Sequence, residues 1–248
     1  SLLAHHEPPL ILLKTLNPVP EIILGDLYLE LHREKWEVYI VTAIDETVWP
    51  DGVGQVRVGL HPKMLQTYQK QHGDDWWSAY KKDFRRAIQN YETLRRKLDK
   101  RLDQERSQRG YGLNQALSPE EMQELLSTIP YYLQQEETRL RLAAEVYVGS
   151  CPVRVGDVMS FPTWQMHSLQ HGVRVIEFQT PHYERMIVMF AQKVLTQGHW
   201  NTEEALAGMK PEIYQPPQPE LIWQHDGVRR ERVCLLYTSD AADEVDRV

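Results

Sequence analysis

Residues 155–185 read VGDVMSFPTWQMHSLQHGVRVIEFQTPHYER, and their reading decides the fold. Gly156-Asp157 is a turn pair. The turn opens a short apolar strand within the segment Val153 to Phe161, Pro162 follows, and His167 stands five residues beyond the proline. After a second turn, Val173 to Gln179 alternates, which places Glu177 and Gln179 on one face of a strand. An unpaired carboxylate on so apolar a strand is costly, so Glu177 is either paired or turned toward a pocket. Adjacent antiparallel strands carrying such a set of polar residues at their ends are how a β-barrel builds a metal or sugar site in its mouth. On the loop before His167, Trp164 and Gln165 are placed to stack on and bond to a sugar, or else to close the barrel.

Reading outward toward the N-terminus, Leu27, Leu29 and Leu31 alternate with Tyr28, Glu30 and His32. That period of two marks a half-buried strand. Val38 to Ala43 is rich in β-branched and aromatic residues, Pro50-Asp51-Gly52 punctuates it, and Gln55 to Leu60 alternates again. Beyond Pro62 the period changes. Trp77, Tyr80, Phe84, Ile88, Tyr91, Leu94, Leu98 and Leu102 recur in steps of three and four, an apolar stripe along a long helix. Ser118, Pro119 and Glu121 form a capping box with proline at the first helical position, and a further helix runs from Tyr131 to about Ala144. Strands resume near Glu145, and Met186 to Leu195 is apolar enough for another. Thr202 opens a short helical turn, and residues 211–220, PEIYQPPQPE, read as an extended linker.

Composition bounds the partners. The 248-residue chain carries a formal charge of -7 and a pI near 5.8, which argues against nucleic acid or an anionic membrane as partner. Cys151 and Cys234 are far apart and form no ligand cluster, which suits a reducing, cytoplasmic setting. No apolar run reaches transmembrane length. Residues 234–248 break the preceding pattern; CLLYTSDAADE resembles a translated sequencing-adapter read-through from an assembled environmental sequence, and the natural chain is expected to be truncated near Val233.

Gly156, Pro162 and His167 satisfy the spacing G-x5-P-x4-H, which resembles the second conserved motif of the cupin superfamily. The continuation through Glu177 and Gln179 to Tyr183 and Arg185 is similar to type I mannose-6-phosphate isomerases, and Lys35-Trp36-Glu37 resembles that family's lysine-x-glutamate segment. The resemblance implies an all-β jelly-roll (cupin) barrel with a helical insertion. Residues 1–62 and 145–200 would form the two halves of the barrel and 63–144 the insertion. Residues 201–233 would form a proline-rich linker and the start of a second lobe. It implies a divalent metal, zinc foremost with iron, manganese or nickel as alternatives, held by His32, Glu34, Glu37 and His167. Arg185 and Lys35 would act on the sugar-phosphate charge or an enediolate, with Glu177 or His182 as the general base. Trp164, Gln165, Gln179 and Tyr183 would bind substrate.

The function implied is metal-dependent aldose-ketose isomerisation of a sugar phosphate by a monomer or homodimer. A cupin oxygenase or lyase using iron or manganese, and a non-catalytic sugar-binding protein, are the alternatives.

Overall fold

The computed structural model describes residues 11–18, 26–112, 115, 117–182, 184–192, 198–218 and 220–232. The segment 234–248 and Tyr183 lie outside them. The alternating segments are strands: β1 (Leu12–Leu16), β2 (Tyr28–Leu31), β3 (Glu37–Ile44) and β4 (Gly54–Leu60). The helical block follows with α1 (Pro62–His72), a 3-10 turn, α2 (Trp76–Gln108), α3 (Pro119–Ser127) and α4 (Tyr131–Glu145). Then come β5 (Val148–Val153), β6 (Val158–Phe161), β7 (His167–Leu169), β8 (Val173–Gln179), β9 (Met186–Phe190), α5 (Thr202–Gly208) and a hairpin of β10 (Glu220–His225) and β11 (Val228–Arg232).

Local chemistry explains the boundaries. Ser118 and Glu121 exchange both capping-box bonds at the start of α3. The apolar stripe of α2 buries Tyr80, Phe84, Ile88, Tyr91, Leu94 and Leu98, as a period of 3.6 residues requires.

Strands β1-β8-β3-β6 form one antiparallel sheet and β5-β4-β7-β2-β9 a second. They pack face to face through Val41, Val56, Val58, Met159, Phe161, Val173 and Val175. The other face of the second sheet is covered by helices. Leu29 and Leu31 of β2 and Val188 of β9 join Tyr68, Tyr80, Phe84, Ile88 and α5's Leu206 in one buried cluster.

This overturns the expected all-β jelly-roll, and the assignment to the cupin superfamily falls with it. Among the described residues both sheets are open: β1 and β6 are the edges of one, β5 and β9 of the other. More residues lie in helices than in strands, and the helices share the largest core with β2 and β9 instead of projecting from a closed barrel. The architecture is mixed α/β. Periodicity reports which face of a strand is apolar, not whether a sheet or a helix covers it. No helix among the described residues is long and apolar enough to cross a membrane.

Candidate metal centre

Alternation along β2 sends Leu29 and Leu31 to the helices and Tyr28 and Glu30 into the space between the sheets. His32, one residue past the strand, continues the inward series and is buried. Glu30 pairs in register with His167 at the start of β7. From the facing sheet, β3 opens with Glu37, and β8 supplies Glu177 and Gln179 opposite Tyr39 and Glu37. Donor atoms of Glu30, His32, Glu37 and His167 all lie within 4.8 Å of one another.

The histidines are oriented from behind. His32 Nδ1 donates to the Glu184 carbonyl at 2.9 Å and His167 Nδ1 to the Gln165 carbonyl at 3.0 Å. Each ring therefore turns Nε2 toward the carboxylates. That is how a protein presets a metal-binding imidazole. His32 Nε2 is buried and makes no hydrogen bond, although Glu37 Oε1 lies 3.3 Å away.

Glu37 is the hub. Its Oε2 accepts from His167 Nε2 at 3.0 Å and from the Tyr39 hydroxyl at 3.2 Å, while Lys35 Nζ lies 2.5 Å from Oε1. Burial alone would raise its pKa, but the hydrogen bond from His167 and the charge of the two histidines outweigh burial and hold it well below the carboxylate range. His167 responds in the opposite sense: burial would lower its pKa, yet Glu37 and Glu30 raise it above the usual imidazole value. The His167 Nε2 that meets Glu37 is also the atom that would face a cation.

Beside this cluster is a cavity of about 580 Å³ lined by Lys14, Tyr28, Lys35, Glu177, Gln179, His182 and Arg185. Lys14 Nζ donates to Glu177 Oε1 at 3.0 Å and Gln179 Oε1 at 2.5 Å. Burial and the neighbouring Glu37 raise the Glu177 pKa, against the opposing pull of Lys14 and Lys35. The Arg185 guanidinium lies 5.9 Å from the Tyr28 ring centroid. His182 is exposed at the rim.

The structure brings His32, Glu37 and His167 together, and places Lys35, Glu177, Gln179, His182 and Arg185 around the adjoining cavity. Glu34 is elsewhere. It lies in the bend after β2, with its side chain exposed and 3.7 Å from Arg33, while its backbone N–H donates to Glu184. Glu30 takes the place expected of it. The signal was the alternation itself, which sets Glu30 and His32 on one face and says nothing for a residue in a bend. Trp164 packs into the helix-side core, and the Gln165 side chain lies over Gly59; neither lines the cavity. The carbonyls of Glu184 and Gln165 carry no sequence signal, because backbone acceptors leave no residue signature, and Lys14 carries none because its partners are more than 160 residues away.

Two imidazoles and two carboxylates fit a divalent cation. The set contains no sulfur, and nitrogen and oxygen donors of this kind serve several first-row ions. The expectation of zinc is corrected accordingly: nothing in the donor set selects it.

No known family's sequence profile matches this chain, and no curated protein does. Solved structures similar to it include mannose 6-phosphate isomerase from Bacillus subtilis, at TM-score 0.45 and 11% identity over 88% of this chain and 50% of that one. A mutant of phosphomannose isomerase from Salmonella typhimurium aligns at TM-score 0.42 and 14% identity, over 86% of this chain and 57% of that one. The chain thus spans about half the length of these structures. What it can do is read from its own side chains.

Proposed function

We propose that this chain holds a divalent cation on Glu30, His32, Glu37 and His167 and isomerises a sugar phosphate between its aldose and ketose forms. One observation carries the reading. Two buried histidines, both held through Nδ1, meet two carboxylates beside a cavity that also contains a separate carboxylate and two lysines. The volume of that cavity is in the range of a small-molecule site.

A bound divalent ion would polarise the substrate carbonyl and its neighbouring hydroxyl. Glu177 is the base in this proposal. It is not in the metal cluster, its pKa is raised by burial, and a carboxylate of raised pKa is the stronger proton acceptor. It takes the proton from one of the two adjacent carbons and returns it to the other, while the hydroxyl proton passes to the former carbonyl oxygen, so that carbonyl and hydroxyl exchange places. Lys35, buried against Glu37, supplies positive charge where the enediolate develops. Lys14 holds Glu177 and Gln179 in place, while Arg185 and His182 at the rim meet the phosphate. Tyr39 donates to Glu37 and keeps that carboxylate from rotating toward the substrate.

The test uses metal-stripped protein reloaded with Mn²⁺ or Co²⁺ and coupled assays on mannose 6-phosphate and fructose 6-phosphate. Turnover that requires metal and disappears in Glu177→Gln, with metal content unchanged, supports the proposal. Metal uptake without turnover on any sugar phosphate makes the site a binding site only. Failure to take up metal sinks the reading.

A further inference from the structure

Trp164 has a backbone that tryptophan does not favour. Its φ is +66°, in the left-handed region, which among the other described non-glycine residues only Asp226 enters. A bulky side chain persists there only when its surroundings impose it. Here the surroundings are identifiable. The Trp164 N–H donates to the His32 carbonyl at 2.6 Å, and the next residue's carbonyl takes the His167 Nδ1 proton at 3.0 Å. Two consecutive residues of one loop therefore touch both histidines of the cluster, whose ring centroids are 5.3 Å apart.

The indole reaches the other way, into the helix-side core. It fills a notch over Gly208 at the end of α5, where an added Cβ would overlap Cζ3 and Cε3 of the ring. Helix α5 is a firm backstop. Thr202 Oγ1 donates to the Val188 carbonyl at 2.9 Å, Ile187 N–H donates to Asn201 Oδ1 at 3.1 Å, and Ala205 and Leu206 are fully buried. Both bonds fasten the helix to β9, the strand that pairs with β2 and hence with Glu30.

We infer that Trp164 is a positioning residue for the metal cluster: its ring, seated against Gly208, holds the loop in the strained turn that sets His32 and His167 in register. The inference rests on the reading of that cluster as a cation site. It assigns Trp164 no contact with substrate.

The experiment titrates the metal-stripped full chain with Co²⁺, followed by calorimetry and by the visible spectrum of the bound ion. Gly208→Ala is the first variant. Alanine favours a helix over glycine, so α5 itself is not weakened, but the ring must leave its notch. Trp164→Gly is the second; glycine accepts the positive φ without strain, so only the ring is lost. Each is expected to bind Co²⁺ about tenfold more weakly, as loss of an outer-shell support does, and with a shifted spectrum. Adding Gly208→Ala to Trp164→Gly should cost nothing further, because no ring remains to displace. Should Gly208→Ala fail to fold, Trp164→Gly and Trp164→Phe carry the test.

Wild-type affinity and an unshifted spectrum in the variants overturn the inference. Absence of Co²⁺ binding by the unmodified chain instead removes the cation reading and this inference together, an outcome visible before any variant is made.

Discussion

Between α2 and α4, Glu137 is fully buried and accepts from the Tyr91 hydroxyl at 2.8 Å and from Arg141 Nε at 3.1 Å. Arg141 reaches on to Glu145, and Arg95 pairs with Asp99 at 2.6 Å. Between the two sheets, Glu37 is just as buried but faces two histidines, and Glu30 adds a second carboxylate. Both clusters bury charge that an apolar core would not tolerate unpaired. The helix cluster answers its carboxylates with guanidinium groups, which remain charged at any ordinary pH. The sheet cluster answers them partly with imidazoles, which can give up a proton and become donors to a cation. One is neutralised by fixed charges of the protein, although Glu137 Oε2 and Arg95 Nε make no hydrogen bond; the other offers donors that a cation could use.

The largest effect expected breaks the helix cluster. Glu137→Ala should cost about 3 kcal/mol of stability, because it leaves the Tyr91 hydroxyl and Arg141 Nε without their buried acceptor, and leave metal affinity unchanged. Urea unfolding and Co²⁺ titration of one variant read both quantities. Breaking the sheet cluster should do the reverse: His167→Ala is expected to weaken metal binding on the order of 100-fold, with a smaller loss of stability in the presence of chelator. Equal losses in both assays for both variants would erase the distinction.

Glu30→Gln sharpens the comparison by keeping shape and removing one charge. Its metal affinity should fall roughly tenfold, since ligand charge count tunes such sites, whereas Glu34→Gln should leave affinity as it is and stability within about 0.5 kcal/mol.

The pH dependence separates the clusters more gently. The His167 pKa is raised by Glu37 and Glu30 against burial. Its contribution to the stability of the metal-free chain is therefore fully present below the unfolded histidine value and lost as pH rises through the folded one. Metal affinity runs the other way, rising over the same window because the cation no longer competes with that proton. Stability read from unfolding curves between mildly acidic and mildly alkaline pH should therefore fall in chelator over that window, but stay level with saturating metal, where the gain in affinity offsets the loss.

Much of the site was legible, and for local reasons. His167 follows a turn, a strand and Pro162 at fixed intervals, and Glu37 opens a strand directly after Lys35, so both could be named from neighbouring residues alone. Glu30 could have been named too, since Leu29 and Leu31 flank it and His32 shares its face. Lys14 was not legible, because its partner Glu177 is 163 residues away.

The chain's own periodicities thus determined its elements: the strands around Leu29, Val41 and Ile176, the long helix through Ile88, and the inward face of β2. Those depend on residues two to four apart, where side-chain direction follows from backbone geometry. Only the tertiary structure decided that the sheets stay open beneath a helical layer. It also brought the carbonyls of Gln165 and Glu184 behind the two histidines, and put Glu37 against His167, 130 residues distant. Such contacts are selected by packing and charge over the whole chain, and no short stretch of sequence contains both of their partners.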